Sequence, residues 1–404
     1  MTSKRDLLIL GGGLVGMTLA LAAARKGLTS HVVDKADPAS LIAEGFDGRA
    51  SAISTASWNL FRNIGIAGAL EPLGCPIEAI AVSDGMKPGR IDFRPGPDEG
   101  SLGRMFANSD IRKALFAAAR SEPLIEWHPG CEPVSRIRDQ TGVTVKLADG
   151  KVLEGALLAA CEGRQSPSRE EAGIPAARWS YKHRAIVTAL AHQHAHEGVA
   201  WEIFYPAGPF ALLPLLDTPD GKHRSALVWT VAEKDAGGVL ALSPRAFLAE
   251  VEKRMHAIFG AVELIAPRMS FPLGFHHAGK ITAERLVLVG DAAHGIHPIA
   301  GQGLNLGLRD VGALVEVLND GRRLGLEPGD AQLLARYERW RSVDTFTVAA
   351  TTDGLTRLFG IPGRLPSALR RLGMGAVQRL PALKHFFMDE ARGVSGELPE
   401  LMRS

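Results

Sequence analysis

The stretch Leu7–Lys35, LLILGGGLVGMTLALAAARKGLTSHVVDK, decides how the rest of the chain is read. Its first four residues, Leu7–Leu10, read as a buried strand. A glycine turn follows, then a helix from about Leu14 to Lys26, then a second short strand at His31–Lys35. Strand, turn, helix and strand make a βαβ unit, whose strands run parallel. The turn carries the spacing Gly11-x-Gly13-x-x-Gly16. The first glycine permits a tight turn, the second lets a pyrophosphate approach the backbone, and the third lets helix pack on strand. The positive end of the helix favours the diphosphate charge. Asp34 closes the second strand, where a carboxylate can accept bonds from ribose hydroxyls. Together these features point to dinucleotide binding, with FAD and NAD both open.

A competing reading has to be set aside. Lys4-Arg5 precede eighteen uncharged residues, Leu7–Ala24, which superficially resemble a signal peptide or a membrane span. Four glycines in the middle of that run, and Asp6 at its approach, argue against both. No other stretch is apolar for long enough to span a bilayer.

A chain of 404 residues is long for one core and suits two joined domains. Apolar residues at 46% and charged ones at 22% describe an ordinary soluble protein. The net charge of +2 supplies no basic field, so nucleic acid is not an expected partner. Cys75, Cys131 and Cys161 are odd in number and widely spaced. They suggest neither a disulfide framework nor a metal site, which fits a reducing cytoplasm. Cys161 reads as a small buried filler.

Further along, Ser51–Asn63 and Asp110–Ser121 read as helices, the second capped by Ser109 or Asp110. Residues 132–160 alternate as a small antiparallel meander, with turns at Thr141-Gly142 and Asp149-Gly150. From about Ser180 to Phe275 the chain is strand-rich, interrupted by a helix at Ser243–Phe259. Arg285–Ala293 returns to a buried parallel-type strand, and the chain from Gly301 onward is mostly helical. The domains are expected to interleave, since nothing resembles a linker.

Four motifs carry the chemistry. FDGRASAIS (Phe46–Ser54) places Arg49 in a glycine-containing loop. SDIRKALFAAA (Ser109–Ala119) places Arg112 near a helix start. CEGRQSPSR (Cys161–Arg169) leaves an apolar strand. The fourth, GDAAHGIHPIAGQGLNLGLRD (Gly290–Asp310), puts Asp291 at the C-terminal end of a strand, where ligands of α/β sheets collect. It then turns at His297-Pro298 and opens a helix with Gly301 and Gly303, which would let a flat ring lie against backbone. His294 and His297 read as structural or pocket-lining residues. No further ligand spacing supports a metal.

These pieces resemble the class A flavoprotein monooxygenases, which have the para-hydroxybenzoate hydroxylase fold. Within that class, HPIAGQGLNLGLRD (His297–Asp310) is similar to the signature of the ubiquinone-biosynthesis hydroxylase family. DGRASAIS, SDIRKAL, RLVLVGDAAH and LPALKHFFMDEARGVSGELPEL are also similar to that family. The resemblance implies an α/β chain in which a Rossmann-like FAD-binding domain (1–75, 109–175 and 281–345) interleaves with a mixed-sheet substrate domain. The substrate part would comprise the excursion 76–108 and the sheet 176–280, with a helical C-terminal region at 346–404.

The resemblance also implies roles. Gly11, Gly13, Leu14, Val15 and Gly16 would hold the FAD diphosphate. Asp34, Lys35 and Val134 would lie by the adenosine, and Arg49 and Arg112 by the diphosphate and ribityl chain. Gly290 and Asp291 would meet the ribityl chain or diphosphate. Pro298 would lie beside the flavin ring, and Gly301, Gln302, Gly303, Leu304 and Asn305 would bind its pyrimidine edge. One residue departs from the family pattern: Glu162-Gly163 stands where the family usually has Asp-Gly, a motif tied to both FAD and NAD(P)H.

The implied reaction adds one hydroxyl to an aromatic ring through a flavin C4a-hydroperoxide, so no protein acid, base or nucleophile is assigned. Dioxygen is the co-substrate and NADH, NADPH or a ferredoxin-type donor the reductant. The substrate is a polyprenylated phenol or benzoquinol, walled by Trp201–Leu215, with Phe204, Tyr205, Leu213 and Pro298 as pocket candidates. The C-terminal stretch Arg357–Arg403 reads either as an amphipathic helix packed on the body or as a surface for a membrane or biosynthetic complex. The expected location is cytoplasmic, with a peripheral place at the inner membrane face as the second reading. Two other functions stay open: a reductase or halogenase on the same fold, and a non-catalytic FAD-stabilised subunit.

Overall fold

The computed structural model describes residues 4–41, 48–85, 90–96, 98–255, 258–295, 302–342, 344 and 380–404. Its architecture is α/β, as the sequence leads one to expect. An eight-stranded sheet is built around Arg5–Leu10, which pairs in parallel with Ser30–Asp34 on one side and Val152–Ala160 on the other. Leu286–Leu288 and Ile125–Pro129 extend the parallel part. Pro133–Asp139 and Gly142–Leu147 form the antiparallel meander, whose second strand pairs with the first half of Val152–Ala160. The central strands are apolar on both faces: helix Leu14–Arg25 packs on them, and Val143, Val145 and Leu147 of the meander are buried in the same core. Leu7, Leu8 and Ile9 are fully buried, as are Leu157 and Leu158.

A nine-stranded, mostly antiparallel sheet forms the second body. Its long strand Ala176–His192 pairs with Met269–Ala278 and with His223–Ala232. Gly208–Leu215 and Val199–Tyr205 follow in order, and the latter pairs in parallel with Ala79–Asp84. One face packs against helices Glu233–Ala241 and Pro244–Met255 in a core containing Phe210, Trp229 and Phe247. The other face looks toward the parallel sheet. The two bodies are stitched together by His294–Gly295, which leaves the parallel sheet and pairs with His276 and His277.

Three local expectations are corrected. Residues 51–54 are not the start of a helix. Ala50–Ser54 is a strand paired with Gly103–Ala107, and the helix begins at Thr55 with Ser54 as its side-chain cap. The strand fits because Gly103 lacks a Cβ, which would lie 2.5 Å from the Ile53 carbonyl oxygen. The helix expected from Asp110 runs Asn108–Ser121, so Ala107, not Ser109 or Asp110, is its N-cap and no side chain caps it. Helix Glu233–Ala241, with Gly237 and Gly238 inside it, has no counterpart in the sequence reading.

Helix Pro381–Arg392 packs on the body: Met388 is buried and Phe387 meets Phe93 edge-on, while Phe386 is exposed. Residues 357–379 of the Arg357–Arg403 stretch lie outside the described residues. No described helix is long and apolar enough to cross a membrane.

Candidate functional site

Four parallel strands end on the same side, and each delivers one piece of the site: Gly11–Gly13 after Leu10, Asp34 itself, Cys161–Arg164 after Ala160, and Val289–Asp291 after Leu288. The glycines divide the labour between them. Gly11 has φ +100°, and a Cβ there would lie 2.3 Å from the Cys161 carbonyl oxygen. At Gly16 a Cβ would be 1.8 Å from the Gly11 carbonyl oxygen. Both close the turn against its neighbours. Gly13 does the opposite, since nothing lies within 4 Å of the place its Cβ would take. Helix Leu14–Arg25 starts there with no side-chain cap and no acidic residue in its first turn. Its free N–H groups and positive end face open space, a setting that fits an anionic ligand.

Asp34 ties this turn down. One carboxylate oxygen accepts from the Gly12 N–H at 2.6 Å and the other from the Ala36 N–H at 2.8 Å. Lys35 is exposed beside it. The Cys131 N–H donates to the Asp34 carbonyl, which brings the strand carrying the exposed Val134 to the same edge.

The open space is a cavity of about 440 Å³ between the two bodies. One wall is Gly13, Leu14 and Val15; another is Gly163, Arg164 and Asp291; a third is Gly303 and Leu304. Ser51, on strand Ala50–Ser54, and Asn108, the first residue of helix Asn108–Ser121, join them, bonded to each other at 2.7 Å. Arg49 enters the strand that carries Ser51, and its carbonyl accepts from the Asn108 N–H. Arg112 lies on the second turn of the Asn108–Ser121 helix. The nine-stranded sheet closes the cavity with Glu202, Pro209, Ala211, Leu213, Val228 and Thr230. Gly303, like Gly13, has no described residue within 4 Å of its missing Cβ.

The Gly290–Asp310 motif resolves into separate roles. Gly290 has φ +63°, and its N–H donates to Asp310 at 2.9 Å. Asp310 also bonds His294 Nε2 at 2.6 Å and Arg341 Nε at 2.7 Å, all three side chains being buried. Burial alone would push the Asp310 carboxyl up; the charges of His294 and Arg341 hold it below the usual range. Arg341 continues to Asp344, Asp344 to Arg309, and Arg309 to the carbonyls of Ser395 and Glu397. His294 is therefore tied into a structural network.

Asp291 points away from that network and pairs with Arg164 at 3.3 Å, both half-exposed at the cavity. Asn305 bonds the backbone of Ala52 and Ser54, so it holds the neighbouring strand to the helix Gln302–Arg323. Pro298 and Gly301, and with them His297, lie outside the described residues.

Glu162 turns out to face away from the cavity. Its carboxylate accepts from the Ser166 hydroxyl at 2.6 Å and the Ser168 N–H at 3.1 Å, and lies 3.4 Å from Arg136. Cys161 packs against Gly16 and also lines the cavity, and burial pushes its thiol up. Of the pocket candidates, Leu213 lines the cavity. Phe204 is buried on the same sheet face as Glu202. Tyr205 is a correction: alternation turns it to the opposite face, where its hydroxyl bonds the Arg254 carbonyl and its ring meets Phe210.

Sequence reasoning passed over Glu202, Arg164, Ser51 and Asn108. Arg164 and Ser51 sat inside the motifs CEGRQSPSR and FDGRASAIS, and Glu202 was the lone charge in WEIFYPAGPFALLPL. Three side chains elsewhere, His31, Glu126 and His128, bring possible metal-ligand atoms within 4.8 Å of one another. Glu126 there already pairs with Lys151 at 3.0 Å and Arg5 at 3.5 Å.

Residues 4–347 match the FAD binding domain family. The chain is 42% identical to the ubiquinone hydroxylase UbiL of Rhodospirillum rubrum, over 98% of this chain and 92% of that one. It is 31% identical to the 3-demethoxyubiquinol 3-hydroxylase of Escherichia coli, over 96% and 98%. Its fold is similar to that of the p-nitrophenol 4-monooxygenase of Pseudomonas putida, with a TM-score of 0.80 at 16% identity over 98% and 100% of the chains. The bare glycine turn, the uncapped helix and the cavity between two sheets thus meet their counterpart in sequence: the chain belongs to the FAD-dependent monooxygenases, in the ubiquinone-biosynthesis hydroxylase family.

Proposed function

We propose that this protein hydroxylates the aromatic ring of a polyprenylated phenol or benzoquinol intermediate of ubiquinone biosynthesis. It would use dioxygen, with NADH or NADPH as reductant. The observation that carries the reading is the cavity in which Gly13 and Gly303 expose bare backbone opposite the sheet face that bears Pro209, Ala211, Leu213 and Val228. FAD supplies the oxygen chemistry when bound. The chain's own residues bind, orient and exclude water.

In this reading the N–H groups of Leu14 and Val15, freed by Gly11, Gly13 and Gly16, take the diphosphate. Asp34 keeps lone pairs for the adenosine ribose after bonding Gly12 and Ala36, with Lys35 and Val134 alongside. Arg49 and Arg112 serve the diphosphate and ribityl chain, and Asp291 serves the ribityl hydroxyls. Gln302, Gly303, Leu304 and Asn305 offer helix-terminal backbone to the flavin edge, next to the expected places of Pro298 and Gly301. The interleaved division at 75, 108, 175, 280 and 345 goes with this reading. Leu213 and Phe204 belong to the substrate wall. The exposed Phe386 and Leu380 leave the C-terminal helix free to meet a membrane surface or a carrier that delivers the greasy substrate.

The test is a single turnover. Reduced, FAD-loaded protein is mixed with oxygen and 2-prenylphenol, and the products are weighed by mass spectrometry. A product heavier by one oxygen atom is expected. Full flavin reoxidation with the phenol returned unchanged would overturn the reading.

A further inference from the structure

Glu202 is a carboxylate on the wall of the cavity. Along Val199–Tyr205, Trp201, Ile203 and Tyr205 turn into the helix-side core, so Glu202 takes the cavity face. Its cross-strand partners are Ala211 and Val82. The cavity-lining positions beyond them are Pro209, Leu213, Val228 and Thr230. No hydrogen bond or ion pair to Glu202 is found among the described residues, whereas Arg164 and Asp291 on the facing wall satisfy each other. Asp84, opposite Phe204, is the next carboxylate on this face and has a partner of its own. Ser51, Asn108 and Thr230 are the neutral polar groups at the cavity.

A carboxylate set among Ala211, Val82 and Leu213 is costly to ionise unless a donor meets it. Burial pushes the Glu202 carboxyl up to about 7, and no neighbouring charge contributes. A group so poised is half-ionised at neutral pH and far more basic than an ordinary carboxylate. The missing donor must come from what fills the cavity.

Resting on the aromatic-hydroxylase reading, we propose that Glu202 is a catalytic residue that accepts the proton of the substrate's phenolic hydroxyl. The phenol O–H bond breaks and a carboxyl O–H bond forms. The electron pair stays on the ring oxygen and enriches the ring carbons ortho and para to it, where an electrophilic oxygen attacks. The step needs no further oxidant or reductant. It also sets specificity, since a ring with a free hydroxyl is accepted and its methyl ether is not.

Binding tests this apart from turnover. FAD-loaded protein is titrated with 2-prenylphenol and with its methyl ether, 2-prenylanisole, followed by the flavin absorbance. Both probes stay neutral in solution below pH 9, because a phenol ionises near pH 10, as tyrosine does at about that value. Wild type should bind the phenol about tenfold more tightly than the ether at pH 8, the worth of one charge-assisted hydrogen bond. That preference should fade as pH falls through 7. Glu202→Leu should bind the two probes alike, and Glu202→Gln should bind the phenol with no pH dependence between 6 and 8. Equal binding of both probes by wild type overturns the role of Glu202 while leaving the hydroxylase reading intact. Binding of neither probe overturns both. The wild-type comparison needs no variant, so a variant that fails to fold does not shelter the idea.

Discussion

Glu162 and Arg136 lie 3.4 Å apart with only about a tenth of each side chain exposed, joining the end of a central strand to the antiparallel meander. The extra methylene of Glu over Asp carries the carboxylate away from the cavity, onto Arg136 and the Ser166–Ser168 turn. It is a cap for the short helix Pro167–Glu171 and a brace for the loop bearing Arg164. Glu162→Gln should therefore lower stability by about 1–3 kcal/mol, the cost of breaking a part-buried charged bond. It should leave FAD content and the KM for NADH or NADPH within about twofold. Thermal melts beside steady-state kinetics check this; a large rise in KM at unchanged stability would return Glu162 to the reductant.

Asp310 is the hub of the buried network behind the cavity, bonding the Gly290 N–H, His294 and Arg341 together. Asp310→Asn leaves Arg341 buried against a neutral amide, and removing one partner of a buried pair costs about 3–5 kcal/mol. Gly290 is also released, and Asp291 follows it in sequence. Urea unfolding should show the loss, and FAD should dissociate more readily. A variant of wild-type stability would mean that Arg341 finds enough in Asp344.

Several imidazoles are buried neutral. Burial lowers His31, His192 and His276 to about 4, and it also lowers His128, His196 and His277. Below about pH 6.5 the unfolded chain takes up protons that the folded one refuses. Stability is therefore full above that value and falls as pH drops toward 4. With three groups in this window the steepest loss is about 4 kcal/mol per pH unit. Melting temperatures of Glu202→Gln, which lacks the carboxyl that titrates in the opposite sense, should be level above pH 6.5 and then decline toward pH 4.5. A curve still level at pH 5 would sink the argument.

The parallel sheet and its glycine turn were legible in the sequence because local spacing and strand hydrophobicity carry them. The strand at Ala50–Ser54 was not, because its reason lies in Gly103, fifty residues away, whose missing Cβ admits the Ile53 carbonyl. Tyr205 misled for a related reason: periodicity tells which residues alternate but not which face is the cavity. Glu202 stood in plain view as a charge in an apolar run, yet only its lack of a partner in three dimensions gives it meaning. Asp310 looked like the tail of a motif until Arg341 met it.

Glu202 carries a stability cost that matches its place in the cavity. Its carboxyl is raised by burial to about 7 from an ordinary value near 4.5. The folded state therefore favours the protonated form, and the stability present below pH 4.5 is lost as pH rises through 7. Glu202→Gln removes that penalty. It should melt higher than wild type at pH 8.5, with a gain of at most about 3 kcal/mol by the shift of roughly 2.5 units. At pH 4.5 the two proteins should melt alike. A variant less stable at pH 8.5 would mean the carboxylate has a partner after all.

Gly13 and Gly16 stand three residues apart and should answer the same substitution in opposite ways. A Cβ at Gly16 would sit 1.8 Å from the Gly11 carbonyl oxygen, a backbone atom that cannot move aside without opening the turn. Gly16→Ala should therefore fold poorly, with FAD loss following from lost structure. Gly13 has an ordinary φ of −72°, and nothing within 4 Å opposes a methyl group. Gly13→Ala should melt within about 1 kcal/mol of the FAD-free wild type, since Ala is tolerated where φ suits it. Its methyl would nevertheless stand in the path of a diphosphate approaching the first N–H groups of the Leu14–Arg25 helix. FAD affinity should fall by about tenfold or more, read from flavin fluorescence on titrating the stripped protein. If Gly13→Ala held FAD as wild type does, the diphosphate would have to lie elsewhere, and the open face of Gly13 would need another occupant.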